Sequence, residues 1–345
     1  MAMIIKDDYG PLQEYVMDDR ISDIDINNNV VWVTDTEGSR RRVDIPGIEG
    51  FIPGLCQRIA NTQQQNFNRM NPLLEAEANG LRISIIHETV SMGGRSISIR
   101  KSLPKKRFTK EMAIQSGYVE KEVIDFLIEC VKGHCNFVVA GEPGVGKTEL
   151  CKFLASMIAK EERIITLEDN LEWHLQNIIP SGDVVELKVS RYEGEGQFSY
   201  SDAIKASLRQ NPKWLMLSEA RGKEARQLME AWSTGICGMT TIHTDDTRKI
   251  PERILNMIGD YRDAERLENQ IYNDIDVGIL VMFYKDSMGN VKRRIEQIRL
   301  FGRCDNKNIS YPIVEAGKVN KGEMPIGIRD KLKRKNISVR GMYEN

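Results

Sequence analysis

The sequence predicts an α/β protein, a parallel sheet organised around a phosphate-binding loop and preceded by a smaller α+β domain. Three observations predict it. Gly141-Glu142-Pro143-Gly144-Val145-Gly146-Lys147-Thr148 has the full spacing of a phosphate loop and lies between an apolar run and an amphipathic one. After it, short apolar runs alternate with amphipathic segments, as a parallel sheet requires. Before it, residues 1–100 carry the short, alternating pattern of hairpin strands.

In the first domain, Ile21–Ile26 reads as a strand with Ile24 and Ile26 on one face. Asn27-Asn28-Asn29 then forms a turn, because asparagine tolerates left-handed backbone angles, and Val30–Thr34 is the hairpin partner. A helix is expected from about Pro53, where proline suits a first turn, through Ala60. Leu81–Ile86 and Ser96–Arg100 follow as strands joined through Gly93-Gly94. Residues 101–112, with Pro104 and a cluster of basic residues, have the composition of a linker, and 113–345 form the second domain.

There, Val123, Phe126, Leu127 and Cys130 mark a helix that leads into the buried strand Asn136–Ala140. Thr148 to Lys160 has helical spacing. Arg163–Leu167 is a strand ending in Glu168-Asp169, Glu193–Gly196 a loop, and Ser201–Gln210 a helix. Trp214–Leu217 is a strand ending in Ser218-Glu219. Glu224–Trp232 is a helix, and Gly238–Ile242 a strand ending in His243. Titratable residues thus stand just past three strand ends, where an open α/β sheet forms its crevice. Val277–Tyr284 suits a further buried strand. Arg329–Lys335, with five basic residues and one aspartate, is expected to be a solvated tail.

Composition sets the outer bounds. Hydrophobic residues are 41% and charged residues 29% of 345, with a net charge of −1, so there is no global basic field of the kind that marks a nucleic-acid binder. Met1 to Gly10 does not read as a signal peptide, and no apolar run reaches the length of a membrane span, so membrane association is expected to be peripheral. The six cysteines contain no Cys-x-x-Cys pair and are expected to be reduced. Cys130, His134 and Cys135 read as a helix-to-strand junction rather than a metal site.

The chemistry follows from the loop. Glycines at 141, 144 and 146 let successive N–H groups turn inward on an anion, and the following helix points its positive end at the phosphates. Lys147 reaches the β- and γ-phosphates, and the Thr148 hydroxyl is a ligand for Mg²⁺. The reading is therefore a binder of a nucleoside triphosphate with Mg²⁺. Glu219 is the expected acid on the metal, with Glu168 and Asp169 as candidates for a second carboxylate; His243 is a candidate sensor of the γ-phosphate.

Four stretches together resemble the secretion-ATPase superfamily, the motors of type II and type IV secretion, conjugation, and type IV or Tad-type pilus assembly. They are the loop itself; Thr166-Leu167-Glu168-Asp169-Asn170-Leu171-Glu172, similar to its Asp box; Leu208–Pro212 running into Leu217-Ser218-Glu219-Ala220-Arg221-Gly222-Lys223-Glu224-Ala225, similar to its Walker B region; and Gly238–Thr244, similar to its His box. The likeness spans roughly residues 80–300 and lies nearest the compact conjugation and Tad-pilus branch. It implies a RecA-like motor domain behind an N-terminal α+β domain, a cytoplasmic hexamer hydrolysing ATP, and inner-membrane machine components as partners, with no direct nucleic-acid contact. It further implies that Arg82 and Arg100 reach the γ-phosphate, and it includes Arg221 among the sensors. Of the acids, Glu219 would complete the metal site with Thr148 and Asp169 while Glu168 polarises water, although the roles of the two glutamates are interchangeable on sequence alone. Ser218 stands where the family usually has glycine, and Glu149 where a second threonine is common; either would disturb the phosphate site. These departures keep a second reading open, a nucleotide-gated scaffold with little hydrolysis. A hexameric nucleic-acid motor is the other alternative.

Overall fold

The computed structural model describes residues 9–36, 38–78, 80–102, 104, 107–190, 197–320 and 323–338. The chain divides into two compact units, Met1–Leu103 and Pro104–Asn345.

The first unit is a six-stranded antiparallel sheet. Its strands are β1 (Ile21–Asn27), β2 (Val30–Asp35), β3 (Arg40–Val43), β4 (Leu73–Ala78), β5 (Leu81–Ile86) and β6 (Ser96–Lys101), in spatial order β3-β2-β1-β6-β5-β4. Alternation explains its single core. Ile24, Ile26, Val31, Val33, Ile83, Ile85, Ile97 and Ile99 all turn to one face, where Ile52, Leu55, Cys56 and Ile59 of the helix Ile48–Thr62 cover them. That helix begins five residues before the expected proline. Gly47, at φ +76°, makes the entry turn, and Pro53 lies inside the helix, where it removes one backbone donor. The edge strands β3 and β4 were not expected. The first three residues of β3 are arginines exposed to solvent, so it shows no apolar alternation.

The second unit holds a nine-stranded sheet: β7 (Phe137–Ala140), β8 (Ile164–Glu168), β9 (Val184–Lys188), β10 (Trp214–Leu217), β11 (Met239–Ile242), β12 (Val277–Lys285), β13 (Val291–Cys304), β14 (Lys307–Glu315) and β15 (Lys318–Val319). The order is β15-β14-β13-β12-β7-β11-β10-β8-β9, parallel from β12 to β9 and antiparallel from β12 to β15. Helices cover both faces of the parallel part. Successive residues of β7 therefore enter different cores, Phe137 and Val139 one, Val138 and Ala140 the other.

Other expectations are met differently. The linker is taken up at both ends, because β6 runs to Lys101 and a helix starts at Lys110 behind its Thr109 cap. The loop helix runs Lys147–Ala155 and stops short of Lys160. The junction histidine, His134, places its Nε2 2.7 Å from Glu162 Oε1, between the buried Cys130 and Cys135. The basic C-terminal stretch is a docked helix, Ile326–Arg334, and not a solvated tail, because Ile328 and Leu332 give it an apolar stripe that buries. The Glu193–Gly196 loop lies outside the described residues, as does the start of the chain through Asp8. Among the described residues no helix is long and apolar enough to cross a membrane.

Candidate functional site

Parallel strands lie about 4.8 Å apart, so residues that follow neighbouring strands at their C-terminal ends must meet. Here the neighbours are β7, β11, β10 and β8, followed by Gly141, His243, Ser218-Glu219 and Asp169. The side chains join across this edge. His243 places Nδ1 3.0 Å from the Gly141 carbonyl oxygen and Nε2 3.0 Å from Glu219 Oε1. Arg221 then donates to Glu219 Oε2 at 2.6 Å and to Asp169 Oδ2 at 3.2 Å. A continuous polar chain runs from the phosphate loop to the end of β8.

The loop itself needs its glycines. At Gly141, φ is +144° and a β-carbon would lie 2.4 Å from the Val281 carbonyl oxygen of β12, so no other residue fits. Gly146, at φ +95°, caps the helix Lys147–Ala155, whose first N–H groups and positive dipole end face the loop. Pro143 and Val145 complete the turn, with Val145 buried. Lys147 donates from Nζ to the carbonyl oxygens of Gly141 (2.9 Å) and Glu142 (3.0 Å). Burial lowers its pKa, and the nearby Glu219 carboxylate partly offsets that. Thr148 Oγ1 donates to Glu172 Oε2 at 3.3 Å.

The acids differ sharply. Glu168 is 0% exposed: Oε2 accepts the backbone N–H groups of Glu172 (2.8 Å) and Trp173 (3.0 Å), and Oε1 accepts the Thr166 hydroxyl at 3.2 Å. Burial pushes its pKa up to about 7 against those donors. At Glu219, burial also works upward, but Arg221, His243 and Lys147 outweigh it and hold the carboxyl below its ordinary value. Glu149 does not load the phosphate site with charge, because it accepts from the buried Lys152 at 2.8 Å along its own helix. Of the two arginines expected at the γ-phosphate, Arg82 and Arg100 lie in the first unit, directly opposed across β5 and β6, with Arg100 Nε donating to Asp23 Oδ1 at 2.7 Å.

Sequence reasoning gave no role to two residues that the structure brings to the loop. Glu172 closes on Thr148 because the chain turns back after β8; its place in the motif was visible, its direction was not. Arg293 of β13 passes its Cδ 3.9 Å from the point a β-carbon on Gly146 would occupy, while its guanidinium stacks over Phe283 at 5.1 Å. No local signal marks it.

A phosphate loop on a mainly parallel α/β sheet, with acids at the neighbouring strand ends, defines a P-loop nucleotide-binding protein. Residues 58–276 match the family model described as Type II/IV secretion system protein, and the chain belongs to that family. It is 29% identical over 253 residues to an uncharacterized protein of Bacillus anthracis, a match that covers 72% of this chain and 56% of that one. The chain thus spans little more than half the length of that relative. It is 26% identical over 271 residues to the type IV secretion system protein VirB11 of Bartonella henselae, covering 68% of this chain and 75% of the relative. Among solved structures it is similar to the ATPase DotB of Yersinia pseudotuberculosis, with a TM-score of 0.61 at 16% identity over 84% of this chain and 78% of that one. The likeness identifies the fold as a RecA-like domain behind an N-terminal α+β domain.

Proposed function

We propose that the protein is an ATP-hydrolysing motor, working as a hexameric ring in a secretion, conjugation or pilus-assembly machine on the cytoplasmic face of a membrane. The observation that supports this most directly is the polar chain Gly141–His243–Glu219–Arg221–Asp169, which ties the phosphate loop to three strand ends. Membership of the secretion family supports the class of machine.

In this reading Lys147 and the loop N–H groups hold the β- and γ-phosphates. Thr148, Glu172 and Glu219 offer hard oxygen donors, the set that suits Mg²⁺. Mg²⁺ held there would neutralise charge on the phosphate oxygens. Glu219, ionised and partly exposed, orients the attacking water, and His243 and Arg221 fix its carboxylate. In this reading the task of polarising water passes from Glu168 to Glu219, because the Glu168 carboxylate is fully buried and bonded to the chain's own N–H groups; Glu168 is then a positioning residue that holds the turn presenting Glu172. Asp169 acts through Arg221 rather than on the metal. Arg221 and His243 relay the presence of the γ-phosphate. The Glu149–Lys152 pair removes one of the two reasons for a non-hydrolysing scaffold.

The test is steady-state phosphate release with Mg-ATP, with particle mass measured in the same samples. Wild type is expected to turn over as an assembly of about six chains. Lys147→Ala is expected to fall to background, at least about a hundredfold lower. Wild-type release no faster than that of Lys147→Ala overturns the motor in favour of a scaffold.

A further inference from the structure

We infer that the outer face of the C-terminal helix Ile326–Arg334 docks the protein on a membrane surface rich in anionic headgroups. The inner face is committed elsewhere. Ile328 and Leu332 are 1% and 2% exposed, and Leu332 Cδ2 lies 2.6 Å from where a β-carbon on Gly133 would stand. Lys331 donates to Asp276 Oδ2 at 2.6 Å, and the same oxygen accepts the Asn136 N–H at 2.6 Å. Asp276 is 4% exposed, so removing the helix would strand a buried carboxylate. The helix is therefore held firmly in one orientation.

That orientation decides what it shows to solvent. Helical spacing puts Ile326, Arg329, Asp330, Lys333 and Arg334 on the opposite side, all exposed, Ile326 at 56%. That side carries three cations, Arg329, Lys333 and Arg334, and one acid, and a fourth cation, Lys335, is exposed just past the helix end. Among the described residues no ion pair engages those four, whereas Lys331 is used inside. Cations at a helix C-terminus answer its dipole, but that field fades within the last turn and does not account for Arg329.

A convex stripe of lysine and arginine heads around one exposed isoleucine can meet a plane of headgroups all at once. The paired pockets that an extended acidic peptide would use are not a feature of such a stripe. The helix packs against Asn136 and Asp276, at the N-terminal ends of β7 and β12, and the phosphate loop leaves the other end of β7, roughly 16 Å along the strand. Docking there leaves the phosphate loop free and does not rest on the nucleotide reading.

The experiment is co-sedimentation of the full chain with vesicles of phosphatidylcholine alone or mixed with phosphatidylglycerol. Wild type is expected to bind the mixed vesicles, to ignore the neutral ones and to be released by salt. Arg329→Gln should weaken binding about fivefold and the combined Arg329→Gln, Lys333→Gln, Arg334→Gln, Lys335→Gln variant about a hundredfold. Because all four side chains are exposed, the combined variant should keep the wild-type thermal midpoint and phosphate release. Failure of wild type to bind mixed vesicles, equal binding to both kinds, or undiminished binding by the combined variant overturns the inference. Capture by polyglutamate but by neither vesicle overturns it in favour of an acidic protein.

Discussion

Two neighbouring strand ends carry the same residue and treat it in opposite ways. β8 and β10 are parallel and in register, Leu167 opposite Leu217; Glu168 is the last residue of β8, and Glu219 lies two residues past the end of β10, one step further along than Glu168. After Glu168 the chain turns back on itself, so that two of its own N–H groups and the fully buried Trp173 seal the carboxylate. After Glu219 it leaves through Ala220 to Lys223 into the helix Glu224–Ser233, and the carboxylate stays open to Arg221 and His243. A strand-end acid is therefore not a function by itself. The path of the next five residues decides whether it can touch water.

The largest effect should separate the two ends directly. Glu219→Gln is expected to lower phosphate release at saturating Mg-ATP by about 10²- to 10³-fold, while Glu168→Gln stays within about tenfold of wild type. The reverse ranking would return the water-polarising role to Glu168.

Stability against pH gives the next contrast, with opposite signs. The Glu168 pKa of about 7 lies above the unfolded value of 4.5, so its contribution is greatest below about pH 4.5 and declines as pH rises towards 7. The decline amounts to about 3 kcal/mol. Glu168→Gln should flatten that part of the profile of thermal midpoint against pH. Glu219 is held below its ordinary value, so its contribution is present above the unfolded pKa and is lost as pH falls through the folded one. The stability deficit of Glu219→Gln should therefore vanish in acid. Parallel profiles for the two variants would refute the contrast.

Glu172→Gln sharpens the comparison at the turn itself. The Mg²⁺ concentration for half-maximal release should rise about tenfold, with metal-free ATP binding unchanged. An unchanged Mg²⁺ requirement would remove Glu172 from the metal site. The smallest effect is expected at Ser218, between the two ends. Ser218→Gly should cost about 0.5–1 kcal/mol by freeing the unfolded backbone and leave turnover within about twofold. A large gain in turnover would mean that the serine restrains the site.

Much of the fold was legible because it is written locally. Phe137–Ala140 and Trp214–Leu217 are wholly apolar, as strands buried on both faces must be, and the loop between strand and helix has a spacing that few other structures require. β3, β4, β9 and β13 to β15 were not read as strands; in β3 and the first half of β13, Arg40-Arg41-Arg42 and Lys292-Arg293-Arg294 pair through the backbone and present no apolar alternation. The basic run at the C-terminus looked like a solvated tail because its anchor, Asp276, is 55 residues away in sequence.

By itself, then, the sequence determined the phosphate loop, the strand-and-helix alternation around it and the set of acids available, since glycine positions and hydrophobic period act over a few residues. Only the tertiary structure decided which acid is open and which is sealed, which glutamate reaches Thr148, and that His243 meets Gly141 across 102 residues of chain. Those outcomes depend on strand order, register and the direction of the chain after each strand, which long-range packing sets and no local pattern encodes.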